Sequence, residues 1–191
     1  MNIGVYAASG TAMDDAYFEA ARELGRLIAQ RGHTLIFGGG RSGLMGACAD
    51  AAHEQGGSVI GVMPASSDKP GQVYDKSTVL ILTDTVSQRK MLMVNNSDAL
   101  IVLPGGLGTM DELFDTLARR QAGQHRKSVA LISTLGFYDG LDKLLKQFAD
   151  GGFMAAKHLD AYRVFASPAE ALDHAEAEYA ASHSCRNVRP S

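Results

Sequence analysis

The chain has 191 residues, enough for one domain with a sizeable buried core. It is 46% hydrophobic and 20% charged with a net charge of −3, which excludes an overall basic field that would recruit nucleic acid or an anionic membrane. Its two cysteines, Cys48 and Cys185, exclude a disulfide framework beyond one bridge.

The opening MNIGVYAASG has no charged leader before an apolar run and reads as a strand over residues 3–7. No apolar stretch approaches the ~18 residues of a membrane helix, so a cytoplasmic protein is expected. Residues 14–31 follow as a helix, with Tyr17, Ala20, Ala21, Leu24, Leu27 and Ile28 on one face and Gly32 as its stop. A second strand spans 34–37, then GGGRSGLMG (Gly38 to Gly46) opens a helix over about 43–55. Residues 58–63 and 79–82 are strands, separated by a polar loop from Pro64 to Ser77. A helix over 86–96 leads to the strand 99–103, and PGGLGT (Pro104 to Thr109) precedes a helix over 110–122. A strand at 128–133, a helix at 138–150, a short strand at 163–165 and a helix at 168–181 complete the pattern. Residues 1–182 therefore form a single domain, and 183–191 read as a loose tail.

Short continuous apolar strands alternating with amphipathic helices predict an α/β fold, a doubly wound parallel sheet with helices on both faces. In that architecture each helix after a strand starts at the carboxyl edge of the sheet, where ligands collect. The glycines at 38–46, the glycines at 105–108 with Glu112, and the helix start at Gln88, Arg89 and Lys90 are all expected on that one edge. Ser9 and Thr11 follow the first strand and either add hydroxyls there or cap the next helix.

Bare backbone amides at a helix start suit an anion, since no Cβ blocks its approach and the helix dipole favours negative charge. Gly39, Gly40 and Gly43 admit that reading, and equally a turn with close helix–strand packing. The spacing is not the dinucleotide fingerprint, and no Gly-Lys-Ser/Thr makes either loop a P-loop. Thr109-Met110-Asp111-Glu112 fits a capping box, in which the glutamate bonds the cap amide, as readily as it fits a catalytic carboxylate. Thr85-Val86-Ser87-Gln88 also fits a capping box, placing Arg89 and Lys90 early in a helix, where cations oppose the dipole and a nearby anion would account for them. The basic cluster Arg119, Arg120, His125, Arg126 and Lys127 follows a helix and reads as solvated surface. The six histidines show no metal-ligand spacing, so no metal is expected.

Taken together, GGGRSGLMG, QRK and PGGLGTMDE resemble the LOG family of cytokinin riboside 5′-monophosphate phosphoribohydrolases, long labelled lysine decarboxylases, over about residues 1–153. The resemblance implies a Rossmann-like homodimer that needs no cofactor. It implies cleavage of the N-glycosidic bond of an adenine-type nucleoside 5′-monophosphate, AMP or an N6-prenylated AMP, to free base and ribose 5-phosphate. By motif position it makes Arg89 and Glu112 the catalytic pair. Gly105, Gly106, Gly108 and Thr109 would hold the 5′-phosphate, with Leu107 and Met110 among the substrate-binding residues and Lys90 and Asp111 close to the substrate. Val86-Ser87 stand where many relatives have Met-His, and Ala118-Arg119 where they have Thr-Trp; these positions bear on the base more than on the reaction. A decarboxylase would need pyridoxal phosphate on a lysine, and only Lys90 lies near the motifs. A different class, a non-catalytic carrier of a nucleotide or pterin cofactor, would use the same glycine loops but has no need of Arg89 with Glu112.

Overall fold

The computed structural model describes residues 1–68 and 71–184. Seven strands, β1 (Asn2–Tyr6), β2 (Thr34–Phe37), β3 (Val59–Pro64), β4 (Val79–Thr83), β5 (Ala99–Val102), β6 (Val129–Ile132) and β7 (Arg163–Phe165), form one parallel sheet in the order β4-β3-β2-β1-β5-β6-β7. Six helices connect them: α1 (Asp15–Gln30), α2 (Gly43–Glu54), α3 (Val86–Asn96), α4 (Leu107–Gln121), α5 (Asp139–Asp150) and α6 (Pro168–Ser184).

The apolar residues of the strands alternate between two buried layers. Ile3, Val5, Leu35, Phe37 and Ile101 pack with α1, α2 and α6, while Tyr6, Ile36, Leu100 and Val102 pack with Met93 of α3, Leu113 of α4 and Leu145 of α5. Burial on both sides is why these strands read as continuous apolar runs. Gly25, inside α1, lets α2 lie close: a Cβ there would stand 2.1 Å from the Cys48 carbonyl oxygen. The usual cost of a mid-helix glycine, about 1 kcal/mol, is thus offset by helix–helix packing.

Strand order reverses beside β1, which pairs with β2 on one side and β5 on the other. At their carboxyl ends the two chains stay together, Leu103 N donating to the Tyr6 carbonyl (2.9 Å) and Ala8 N to the Pro104 carbonyl (3.1 Å). The crevice outside such a reversal is where open α/β sheets bind ligands.

Two expectations need correction. The fourth helix begins at Leu107, three residues before the predicted start, because glycines are tolerated in a first turn whose amides have no intrahelical partner. The tail expected from His183 is helical through Ser184, and the rest of it lies outside the described residues. Among the described residues, no helix is long and apolar enough to cross a membrane.

Candidate active site

Loops after β1, β2, β3 and β5 and the starts of α3 and α4 meet at the carboxyl edge. They enclose two adjoining clefts of about 540 and 490 Å³ that share Ser9, Met45, Val86 and Arg89. The three sequence patches do converge.

Arg89 is the hub. Thr85 caps α3 through its hydroxyl, which accepts from Gln88 N (3.1 Å), and the Gln88 side chain turns back to accept from Asp84 N (2.9 Å). This is the expected reciprocal cap, with the return bond made one residue earlier than a capping box has it. It sets Arg89 one turn into α3. There its Nε donates to the Val62 carbonyl at the end of β3 (3.0 Å) and its Nη1 to Glu112 Oε1 (2.5 Å). Gly38 makes room for the guanidinium: a Cβ at that position would stand 2.2 Å from Nη2. The first glycine of GGGRSGLMG therefore serves the arginine, a role that sequence reading missed because it depends on a contact between residues 51 positions apart.

Glu112 is not a cap. Its helix starts at Gly106 and Leu107, so Thr109 lies inside the first turn and Glu112 in the second, and no side chain caps the helix. The capping-box alternative is overturned. The Glu112 side chain is only 8% exposed and meets Arg89, itself 15% exposed. Burial raises its carboxyl above the ordinary glutamate value, and the neighbouring Arg89 charge opposes part of that rise. Beneath it, Thr116 Oγ1 bonds both the Glu112 carbonyl (2.8 Å) and the buried Tyr6 hydroxyl (3.0 Å), anchoring α4 to β1. A buried ion pair with one raised carboxyl, at the wall of a cleft, is a costly arrangement that functional sites retain.

The glycines divide into two kinds. A Cβ on Gly105 would strike Thr109 Oγ1 at 2.1 Å, so that glycine permits local packing. A Cβ on Gly106 or Gly108 would meet nothing within 4 Å, although both residues line the larger cleft. The fold has no need for glycine at those two positions, whereas an anion approaching the open first turn of α4 does. Leu107, between them, is 90% exposed, and Thr109 and Asp111 also line this cleft.

The other candidates separate similarly. Gly40 lines the smaller cleft. Gly39 (φ +74°) and Gly43 (φ +64°) take a left-handed backbone, and a Cβ on Gly43 would stand 2.4 Å from the Gly10 carbonyl, so it brings α2 against the loop after β1. Met110 packs toward the core layer beneath α4. Lys90 Nζ donates to both Asp111 carboxylate oxygens at 2.9 Å, joining α3 to α4.

The basic cluster is only partly solvated surface. Lys127 Nζ donates to the carbonyls of Val94 and Asn95, the latter at 3.0 Å, closing the C-terminal end of α3. Arg120 donates to the carbonyls of Lys127 and Asp160. Burial lowers the pKa of Arg120, His125 and Lys127, and their bonds to backbone carbonyls make them structural clamps.

Comparison with known proteins identifies the family. The family model described as "Possible lysine decarboxylase" matches residues 45–175. The cytokinin riboside 5′-monophosphate phosphoribohydrolase of Mycobacterium tuberculosis is 38% identical over 170 residues, covering 89% of this chain and 90% of that protein. The Oryza sativa phosphoribohydrolase LOG is 37% identical over 166 residues, covering 86% of this chain and 67% of that one. Among solved structures, the molybdenum cofactor carrier protein of Chlamydomonas reinhardtii superposes with a TM-score of 0.71 at 26% identity, covering 94% of this chain and 98% of that one. The chain belongs to the family of the cytokinin riboside 5′-monophosphate phosphoribohydrolases, whose model still carries the description of a possible lysine decarboxylase.

Proposed function

We propose that this chain hydrolyses the N-glycosidic bond of an adenine-type nucleoside 5′-monophosphate, AMP or an N6-substituted AMP, giving the free base and ribose 5-phosphate. One observation carries the reading: the buried Arg89–Glu112 pair (2.5 Å) stands in the same cleft wall as the open, glycine-lined start of α4.

The phosphate docks on the amides at Gly106, Leu107, Gly108 and Thr109, where the helix dipole meets its charge. Holding it there spends binding energy on positioning the sugar. As the bond from C1′ to the base nitrogen lengthens, positive charge develops on the ribose, as in glycoside hydrolysis. The Glu112 carboxylate stabilises that charge and takes a proton from the attacking water, whose oxygen bonds to C1′; the base departs with the bond's electron pair and gains a proton. Arg89 keeps the carboxylate oriented, and its planar fork can at the same time reach a phosphate or ribose oxygen.

The test compares AMP with adenosine. Adenosine lacks the group that α4 holds, so adenine release from it should be slower by at least about tenfold, the scale of one lost interaction of ~1.4 kcal/mol. Equal turnover of the two would remove the role given to Gly106 and Gly108.

A second reading rests on the likeness to the molybdenum cofactor carrier of C. reinhardtii: the same clefts would hold a pterin cofactor without reaction. That reading explains the glycines and leaves the buried Arg89–Glu112 pair without a task.

A homodimer belongs to the same proposal. The edge strand β4 exposes Val79, Leu80 and Leu82, and α3 beside it exposes Val86 and Met91. An uncovered apolar edge of this kind invites a partner strand or surface. Sedimentation should give twice the 20.3 kDa of the chain, and a monomer at micromolar concentration would contradict the proposal.

A further inference from the structure

The larger cleft leaves the position of the base open, and the smaller cleft supplies an answer. This inference rests on the phosphoribohydrolase reading above. With the phosphate on the first turn of α4 and C1′ beside Glu112, a base that leaves the sugar on the far side of Arg89 and Val86 enters the smaller cleft, since those two residues line both clefts. Its walls include Met45, Met63, Pro64 and Val86, apolar surfaces suited to the faces of a flat ring. Gln72, an exposed residue with a side-chain amide, also lines this cleft.

Gln72 is held in place by its backbone. Residues 72–74 run antiparallel across the glycines after β2: Arg41 N donates to the Gln72 carbonyl (3.0 Å), Tyr74 N donates to the Gly39 carbonyl (2.9 Å), and Gly40 bridges Val73. Tyr74 fastens this strap. It is buried, its ring meets Phe37 edge-on at 5.6 Å, and its hydroxyl donates to Asp50 (3.1 Å). Burial and the Asp50 charge both hold that hydroxyl in its protonated, donating form. Anchored at its own carbonyl and through Val73 and Tyr74 after it, the exposed Gln72 is held against the smaller cleft.

We infer that Gln72 reads the N7 edge of the base, accepting a hydrogen bond from the 6-amino group of a purine while its own amide nitrogen donates to N7. A carboxamide offers one acceptor and one donor side by side, which matches the amino group and ring nitrogen of adenine. A 6-oxopurine presents two acceptors at the same places, so only the amide nitrogen finds a partner and the amide oxygen faces an oxygen. An N6-substituted adenine keeps one N–H and remains acceptable. Gln72 thus selects 6-aminopurine nucleotides from their 6-oxo counterparts.

The experiment measures kcat/KM and equilibrium binding for AMP and for its 6-oxo analogue IMP, on the wild-type protein and on Gln72→Ala. The wild type should prefer AMP by roughly 10- to 100-fold, the range of one bidentate contact to a base. Gln72→Ala should bring the ratio close to unity, through weaker AMP binding with IMP nearly unchanged and the melting curve unaltered. An AMP:IMP ratio that survives in Gln72→Ala would overturn the inference and place the base in the larger cleft. Should the wild type hydrolyse neither nucleotide, the catalytic reading fails by itself, and the ratio of binding constants still decides the role of Gln72.

Discussion

Glu112 is pulled two ways by its surroundings, and the pull can be measured. Burial raises its pKa and the Arg89 charge lowers it, with burial the larger effect. Because the folded value lies above the unfolded one, the group disfavours folding only where it must be ionised. Its contribution to stability is fully present below the ordinary glutamate pKa of about 4.3 and is lost as pH rises through the folded value. In the proposed mechanism activity runs the opposite way, since Glu112 acts as a base only after losing its proton. The acid limb of kcat/KM for AMP should therefore sit above the ordinary carboxylate range, and stability should decline over the same interval. An acid limb at or below about 4.3 would mean that Arg89 dominates and the carboxyl is not raised. Residue identity at this position was legible in the sequence as a carboxylate near glycines. Its partner Arg89 was named there by the family motif and the shared sheet edge; the direct bond between them was not legible, because it joins residues 23 positions apart in the chain.

At the level of elements, the start of α4 separates glycines that serve packing from glycines that leave space. Gly105→Ala forces a methyl group against the buried, β-branched Thr109 and should cost about 1–3 kcal/mol, seen as a lowered Tm. Gly108→Ala meets no protein atom within 4 Å, so stability should hold, while the new methyl group stands in the cleft where we propose that the phosphate docks. KM for AMP should rise roughly tenfold or more, the usual penalty of one misplaced methylene in a site. Unchanged kinetics in Gly108→Ala would leave that glycine without a function. The order of strands and helices was readable from apolar runs and periodicity, to within one or two residues at most ends. The start of α4 was not, since the apolar period begins at Met110 while the helix already begins at Leu107. Similarly, the glycines of GGGRSGLMG admitted both an anion loop and a turn with close packing, which sequence could not separate. In three dimensions Gly38 accommodates Arg89, Gly43 admits the loop after β1, and Gly46 lies against Arg41.

For the whole molecule, the reversal of strand order beside β1 is what turns scattered motifs into one site. Chain that runs outward through β2, β3 and β4 returns through α3 to β5, so Arg89 arrives over the ends of β2 and β3 and Glu112 follows directly after β5. Parallel topology made this convergence predictable, because every one of these segments follows a strand. The place of Gln72 in the neighbouring smaller cleft was not predictable, since the strap at 72–74 carries no periodic signal. The central claim is that the Glu112 carboxylate performs the cleavage. The direct measurement is chromatography of AMP incubated with the wild type and with Glu112→Gln, alongside their melting curves. Glutamine keeps an oxygen that can accept from Arg89 but can neither take a proton nor balance a developing ribose cation. The wild type should release adenine and ribose 5-phosphate in equal amounts, and Glu112→Gln should be slower by roughly 10²–10⁴-fold with its fold intact. A stable Glu112→Gln protein that releases adenine at the wild-type rate, or a wild type that binds AMP tightly and returns it intact, would contradict the account.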